Sequence, residues 1–193
     1  MKYMPKFDHF SFLAPFYERI FKTPETSRLV GLVNLPPDAC LLDVGGGTGR
    51  IAKLFKDSSC KVIITDVSFG MLKQAVLPDL FHGILAGSEA LPYPEAVFER
   101  IIMVDALHHV ADQAKTIAEL VRVLKPGGRV VIEEPDIRHL GVKLVAFGEK
   151  VLAMRSHFLR AEEIKALAAG QKGIKLTIDR ESYVAWVIIE KIK

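Results

Sequence analysis

The chain has only two cysteines in 193 residues, Cys40 and Cys60, and their spacing matches no metal-binding or redox motif. We therefore expect two reduced thiols that lie buried or half-buried, each just ahead of a strand-like segment. A domain of this length buries roughly 70% of the surface that its unfolded chain exposes, so the fold needs no disulfide and no structural metal.

Long apolar runs and blocks of like charge are also missing. No apolar stretch approaches the roughly 20 residues that a helix needs to span a bilayer, and the opening segment lacks the apolar core of a secretory signal. The net charge is only +3, from 26 basic and 23 acidic residues, and the basic residues are dispersed. A surface that tracks phosphates usually shows clustered Lys and Arg, so no nucleic-acid partner is expected. We expect a cytoplasmic protein without a membrane span.

Internal repeats and low-complexity segments are absent, and strand-like segments alternate with helix-like ones instead. The predicted strands are 40–44, 61–65, 80–85, 99–104 and 129–133. The predicted helices between them are 50–56, 68–75 and 112–124. This alternation is typical of a parallel sheet with helices on both faces.

The chain ends differently, because two strand-like segments at 174–179 and 183–191 are joined by a short polar turn. A turn of that length makes two strands antiparallel neighbours. The predicted fold is therefore α/β: a Rossmann-like three-layer α/β/α sandwich with a seven-stranded, mostly parallel sheet and a C-terminal antiparallel hairpin. We expect one domain, in which a cofactor-binding core at 37–136 is followed by helices and the terminal hairpin at 137–193.

Residues 1–36 form the predicted N-terminal helical lid, with helices at 10–21 and 24–34. Further helices are predicted at 142–155 and 161–169. The lid aromatics and the segment 142–158 are placed to cover a substrate, although ordinary packing on the sheet explains the same apolar residues equally well. These lid aromatics are Phe10, Phe16, Tyr17 and Phe21.

The segment from Asp43 to Gly49 is rich in glycine and lies between the first strand and the following helix. Glycines there permit a tight turn and let a ligand approach the backbone closely. The helix that follows directs its N–H groups and its positive dipole end toward the same crevice. In an open α/β sheet, ligands bind beyond the carboxyl ends of the strands, so we expect the ligand site here.

Two classes of cofactor fit this loop. The segment from Gly47 to Ala52 matches the dinucleotide pattern G-x-G-x-x-G/A, and Asp66 follows Gly47 by 19 residues. A carboxylate there suits the ribose hydroxyls of a nicotinamide cofactor and of S-adenosylmethionine alike. Asp43, two residues ahead of the glycines, would attract a sulfonium and an ammonium group but repel a pyrophosphate, which favours S-adenosylmethionine.

Five segments in order resemble the motifs of the class I S-adenosylmethionine-dependent methyltransferases. The segment 41–50 resembles the first motif of that family, and 66–72 resembles the second. The segments 87–93, 105–110 and 124–128 resemble the later ones. The nearest subgroup is the ubiquinone/menaquinone-biosynthesis-like group, methyltransferase type 11. Residues 7–18 weakly resemble the opening helix of that subgroup.

This resemblance implies the roles of the cofactor-binding residues. Asp66 is expected to accept hydrogen bonds from both ribose hydroxyls, with Val67 on the adenine face. Asp105 is expected near the amino group of the cofactor, which leaves as S-adenosylhomocysteine. The full set implied is Asp43, Gly45, Gly46, Gly47, Thr48, Gly49, Asp66, Val67, Gly87, Ser88, Glu89 and Asp105.

The chain departs from the family at two positions, since many relatives have Asp at Gly87 and at Glu99. The adjacent pair His108 and His109 resembles a metal motif at first sight, but neighbouring histidines diverge and zinc needs at least three convergent ligands. We predict no metal. A histidine packed beneath the cofactor loop is the preferred interpretation, and a general base is the alternative. No catalytic residue is assigned.

The resemblance predicts methyl transfer to a small organic acceptor, with an aromatic or quinone-like compound as the candidate. No large substrate domain separates the fifth strand from the hairpin, so the acceptor site is small, exposed or completed by a second subunit in a homodimer. One alternative is a cofactor-binding regulatory module without turnover. A nicotinamide dehydrogenase is the other.

Overall fold

A computed structural model describes residues 26–75, 81–139, 142–143 and 156–193. The helix predicted at 10–21 and the lid aromatics lie outside the described residues. So does the helix predicted at 142–155, apart from residues 142 and 143, which are helical. Among the described residues, no helix is long and apolar enough to cross a membrane.

Besides residues 142 and 143, the described part of the chain contains four helices and seven strands. The helices are α1 (Thr26–Val33), α2 (Phe69–Gln74), α3 (Gln113–Val123) and α4 (Ala161–Ala168). The strands are β1 (Cys40–Val44), β2 (Lys61–Asp66), β3 (Phe81–Leu85), β4 (Phe98–Val104), β5 (Leu124–Pro135), β6 (Ile174–Glu181) and β7 (Val184–Lys191). Short 3₁₀ turns occupy Ala52–Phe55, Ser88–Ala90 and Leu107–His109.

The strands form one sheet in the order β3-β2-β1-β4-β5-β7-β6. The five strands from β3 to β5 pair in parallel, whereas β7 pairs antiparallel with both β5 and β6. This confirms the predicted seven-stranded, mostly parallel sheet with its terminal hairpin. The strand order reverses between β1 and β4, so the crevice that such a reversal creates lies where β1 ends.

Two apolar clusters pack on the opposite faces of the sheet. Successive side chains of a strand point to opposite faces, so Leu41 and Leu42 enter different clusters although both are fully buried. Leu42 packs in the cluster that contains Ile117 of α3 and Ile164 of α4. Leu41 packs in the cluster that contains Leu29 of α1. Helices therefore cover both faces, as the three-layer prediction requires.

Side-chain caps begin the helices that follow β2 and β4. Ser68 Oγ accepts the Met71 amide at 3.3 Å at the start of α2. Asp112 carboxylate accepts the Lys115 amide at 2.9 Å at the start of α3. Each cap satisfies an amide that the helix itself leaves unpaired, and so fixes where the chain leaves the carboxyl edge of the sheet.

The helix predicted at 50–56 is wrong, because only the 3₁₀ turn Ala52–Phe55 forms there. Gly49 has a positive φ of 74°, and the Leu54 amide bonds back three residues to the Ile51 carbonyl at 3.0 Å. The segment leaves the tight loop with Ile51 and Phe55 already buried. So short a segment gains little from α-helical hydrogen bonds.

The start of β5 and the hairpin turn also differ from the predictions. β5 begins at Leu124 instead of residue 129, because Leu124 pairs with Phe98 before the register shifts and Arg129 pairs with Arg100. The extra residues bulge from the strand, which explains why their sequence resembles a turn. The hairpin turn lies at residues 182 and 183.

Both cysteines are free thiols. Cys60 is buried and Cys40 is half-buried.

Candidate active site

The loop after β1 depends on glycine for its backbone path. Gly45, Gly47 and Gly49 have φ values of 72°, 53° and 74°, a region that other residues enter only at a cost. A β-carbon at Gly45 would lie 2.6 Å from Cβ of Ala106. The loop therefore passes against the chain that leaves β4, at the reversal of strand order.

Asp66 joins this loop to the next strand. Its Oδ2 accepts the Gly47 amide at 2.8 Å, and its Oδ1 accepts the Ser68 amide at 2.7 Å. The side chain is only half-buried, so part of the carboxylate is open to solvent. The structure thus places Asp66, an acid that the sequence singled out, against the glycine loop.

Asp43 lies beneath the loop and is only 1% exposed. A β-carbon at Gly46 would lie 2.6 Å from its Oδ2, so only glycine can cross the carboxylate this closely. Burial, and next the charge of Asp66, raise the pKa of Asp43 to about 7, although Arg50 opposes this shift. Within the described residues Oδ2 has no hydrogen-bond partner. A cation that reaches this oxygen would stabilise its ionised form.

A cleft opens beside the loop between the ends of β1 and β4. Its acidic lining residues are Asp43 and Asp105, and Arg50 is the basic residue among those described. The remaining lining is Gly45, Gly46, Gly47, Thr48, Ile51, Met71 and Val104. Six of the predicted cofactor residues therefore meet in one cleft that carries both signs of charge.

Asp105 enters this cleft from the end of β4 in a strained conformation. Its φ is 54°, unusual for a residue with a side chain, and its amide donates to the Glu133 carbonyl at 2.9 Å. Strain of this kind persists only where the surroundings hold it, and it concentrates at functional sites. The hydrogen bond to β5 is one such restraint.

An exposed apolar surface continues from the cleft along the ends of β2 and β3. Val67 is 57% exposed and Phe69 is 65% exposed, directly after Asp66. Leu85 pairs with Asp66 in the sheet and is also exposed. Val67, which the resemblance expects on the adenine face, therefore lies on a surface that a flat aromatic base can cover.

The predicted residues at 87–89 stand apart from the cleft lining. The Ser88 hydroxyl lies 3.1 Å from the Thr116 hydroxyl of α3, and Glu89 Oε1 accepts the Ala111 amide at 3.0 Å. Gly87 has an extended backbone with φ −83° and ψ 147°, which does not require glycine. Both polar side chains thus tie the 3₁₀ turn Ser88–Ala90 to its neighbours.

Sequence reasoning missed a buried pair behind Asp105. His108 is 2% exposed, and its Nδ1 lies 2.5 Å from Oε2 of Glu134 at the end of β5. Phe158 stacks on the imidazole at 4.1 Å between ring centroids. The sequence signal for this pair was the two consecutive acids Glu133 and Glu134 at the end of an apolar strand. Successive side chains of a strand point to opposite faces, so in a sheet that is covered on both faces each acid is directed into a covered face.

His109 and Glu133 differ from that pair in their surroundings. Burial, with a smaller effect of His108, lowers the pKa of His109 to about 3, so this imidazole is neutral at pH 7. Burial raises the pKa of Glu133, whose carboxylate accepts the Trp186 indole N–H at 2.6 Å. Within the described ranges, no group of three or more His, Cys, Asp or Glu residues is arranged to hold a metal ion.

The sequence comparison identifies a family for the central part of the chain. Residues 42–132 match the family model described as a methyltransferase domain. A ubiquinone/menaquinone biosynthesis C-methyltransferase of Marinomonas sp. is 37% identical over 105 residues, which are 49% of this chain and 42% of that protein. One from Francisella philomiragia is 32% identical over 74% of this chain and 56% of that protein. The chain thus spans about half the length of the curated relatives that it matches.

Solved structures with the same fold cover more of the chain. Phosphoethanolamine N-methyltransferase 2 of Haemonchus contortus, in complex with S-adenosyl-L-methionine, superimposes with a TM-score of 0.81 at 16% identity, over 95% of this chain and 57% of that one. A possible histamine N-methyltransferase of Thermotoga maritima gives a TM-score of 0.74 at 22% identity, over 94% and 98%. Identities this low show the fold alone.

The cleft, the acid at the end of β2 and the strand order all agree with the family match. S-adenosylmethionine is the cofactor of this family, and the described residues fit it: orphaned acidic and basic groups line one end, and exposed apolar side chains line the other. Over residues 42–132 this chain is similar to the S-adenosylmethionine-dependent methyltransferases.

Proposed function

We propose that this chain transfers a methyl group from S-adenosylmethionine to a small organic acceptor of an aromatic or quinone-like kind. The observation that carries the proposal is the contact of Asp66 Oδ2 with the Gly47 amide at 2.8 Å. It joins the acid that would bind the ribose to a glycine loop whose other side opens into a cleft of mixed charge. Asp43, buried under that loop, would repel a pyrophosphate. Arg50 is the one basic residue among the described lining residues that could offset this repulsion.

Each end of the cofactor has a suitable partner in this arrangement. Asp66 would accept the ribose hydroxyls, and Val67 would cover the adenine. Asp43 and Asp105 would face the sulfonium and ammonium groups, while the loop amides between them contact the methionine portion. These roles require only side chains and backbone groups that already lie in or beside the cleft.

The chemistry needs few groups from the protein. Bound S-adenosylmethionine would supply an electrophilic methyl group, with the bond from sulfur to this carbon exchanged for a bond to the acceptor atom and S-adenosylhomocysteine as the second product. The acceptor loses one proton, before or after the transfer. The protein contributes chiefly by aligning the acceptor with the methyl carbon and excluding water, because orientation alone accelerates such reactions strongly. No covalent enzyme intermediate is required.

The names of the curated relatives support the acceptor class. Proteins of Marinomonas sp. and Francisella philomiragia are named ubiquinone/menaquinone biosynthesis C-methyltransferases, and one of Renibacterium salmoninarum is named demethylmenaquinone methyltransferase. The ring carbon of a reduced quinone is activated by its hydroxyl groups and becomes the nucleophile when a hydroxyl proton is lost.

A second candidate is a cofactor-binding module without turnover. It is favoured by the two histidines, since His108 is engaged by Glu134 and His109 has a pKa of about 3. Neither imidazole is then an obvious base for an acceptor that arrives with its proton.

Labelled methyl transfer separates the two candidates. The protein is incubated with S-adenosylmethionine that carries an isotopic methyl group and with a panel of reduced quinones and catechols, and products are identified by mass spectrometry. We expect a methylated product that is lost in Asp66→Asn and kept in Asp57→Asn, a matched change at an exposed acid. Cofactor binding without any product across the panel would favour the silent module.

A further inference from the structure

Arg50 carries a buried donor for which the structure gives no acceptor. It directly follows the last loop glycine and lines the cleft. Its Nη1 is buried and has no hydrogen-bond partner among the residues that the structure describes. A buried N–H without a partner is unfavourable and uncommon, so a ligand group that completes it is the economical explanation.

The charges around Arg50 show what kind of ligand group is missing. Its guanidinium acts electrostatically on Asp43 and on Glu133, and it counteracts the rise in the pKa of both carboxyls. Asp105 adds a third acid at the cleft. Arg50 therefore lies near several acids, yet Nη1 forms a hydrogen bond with none of them.

This pattern complements the amino-acid end of S-adenosylmethionine. That end carries two cations, the sulfonium and the ammonium, and one anion, the α-carboxylate. The acids of the cleft match the cations, and Arg50 is the basic lining residue left for the anion. A guanidinium also offers planar paired donors that fit a carboxylate better than a point charge does.

We propose that Arg50 binds the α-carboxylate of the methionine portion of S-adenosylmethionine and so selects ligands that carry it. This inference rests on the proposed function, because it assumes that the cofactor occupies the cleft. The competing interpretation is that Arg50 serves only as a counter-ion that holds Asp43 and Glu133 in place. A counter-ion would affect every adenosine ligand equally, whereas a carboxylate partner would affect only ligands with the carboxylate.

Calorimetric titration of the full chain tests this difference. Three ligands are compared. They are S-adenosylmethionine, the amine that remains when its α-carboxylate is removed, and 5′-methylthioadenosine, which lacks the whole amino-acid end. The titrations are run in about 1 M salt, where the screening length is about 3 Å and distant charges contribute little. Binding of S-adenosylmethionine to the unmodified protein tests the proposed function separately.

We expect the unmodified protein to prefer the carboxylated ligand about 10- to 100-fold, as for a charge-assisted hydrogen bond in a buried site. In Arg50→Gln this preference should fall to near one, with the affinity for 5′-methylthioadenosine unchanged. Lys56→Gln removes the same charge from an exposed position and should keep the full preference.

Two results would overturn the assignment. One is an Arg50→Gln protein that loses affinity for all three ligands alike. The other is an unmodified protein that binds S-adenosylmethionine but shows no preference for the carboxylate. The second result needs no variant, so it decides the matter even where Arg50→Gln does not fold.

Discussion

The Nδ1 atom of His108 lies 2.5 Å from Oε2 of Glu134, and both side chains are almost fully buried. The other oxygen of Glu134 accepts the amides of Ala106 and Leu107 at 3.1 and 2.8 Å. One carboxylate therefore holds the turn after β4 and orients the imidazole, whose Nε2 lies 4.0 Å from Asp105 Oδ1. The pair thus supports the chain segment that places Asp105 at the cleft.

Replacement of Glu134 by Gln should weaken this support. The amide keeps one acceptor but loses the charge that serves three donors, so we expect the free energy of unfolding to fall by about 1–3 kcal/mol. Glu95→Gln is the matched control at an exposed acid and should stay within about 0.5 kcal/mol of the unmodified protein. Urea denaturation measures both, and equal stability of the two variants would contradict the role of Glu134.

The raised pKa of Asp43 predicts how stability depends on pH without ligand. The pKa is about 7 in the folded protein and 3.8 as a free side chain, so between these values the folded state binds the extra proton. Stability should therefore fall as the pH rises from about 4 to about 7. Asp43→Asn removes this contribution, so its curve should be flatter and it should be the more stable protein at pH 8. Denaturation at several pH values tests this, and curves of the same slope would refute it.

Ligand binding should follow the opposite trend. A cationic ligand prefers ionised Asp43, so the affinity for S-adenosylmethionine should rise as the pH increases through about 7. In Asp43→Asn we expect weaker binding that changes little over the same interval. Calorimetry at pH 6 and pH 8 measures the effect. An affinity in Asp43→Asn that rises as steeply as in the unmodified protein would show that another group titrates.

Two glycine replacements separate the loop from the rest of the fold. Gly45→Ala places a β-carbon 2.6 Å from Cβ of Ala106 at a φ of 72°. We therefore expect the free energy of unfolding to fall by about 1–3 kcal/mol and cofactor binding to be lost. Gly31→Ala in α1 meets nothing within 4 Å and should stabilise the protein by about 0.5–1 kcal/mol. Thermal denaturation compares them, and a harmless Gly45→Ala would contradict the close approach.

The features that the sequence predicted are those carried by local patterns. Ser68 and Asp112 lie where the predicted helices 68–75 and 112–124 begin, and Asp66 meets the glycine loop because parallel neighbouring strands end at the same edge. The short turn before β7 was enough to predict the hairpin. Each of these inferences uses residues close in sequence or a rule of sheet topology.

The features that were missed depend on register and close packing. The contact of His108 with Glu134 joins residues 26 apart, and it requires the specific pairing of β4 with β5. Residues 50–56 have a helical pattern, but the geometry of Gly49 and the burial of Phe55 leave only a 3₁₀ turn. The bulge at the start of β5 likewise follows from tertiary pairing, which propensity does not describe.

The central claim is that the loop from Asp43 to Gly49, together with Asp66, holds S-adenosylmethionine. Calorimetric titration with S-adenosylhomocysteine tests it most directly, because the product needs no acceptor. We predict one site per chain, an affinity at least about tenfold weaker in Asp66→Ala than in the unmodified protein, and no such loss in Asp57→Ala. No binding at millimolar S-adenosylhomocysteine, or full affinity in Asp66→Ala, would contradict the claim.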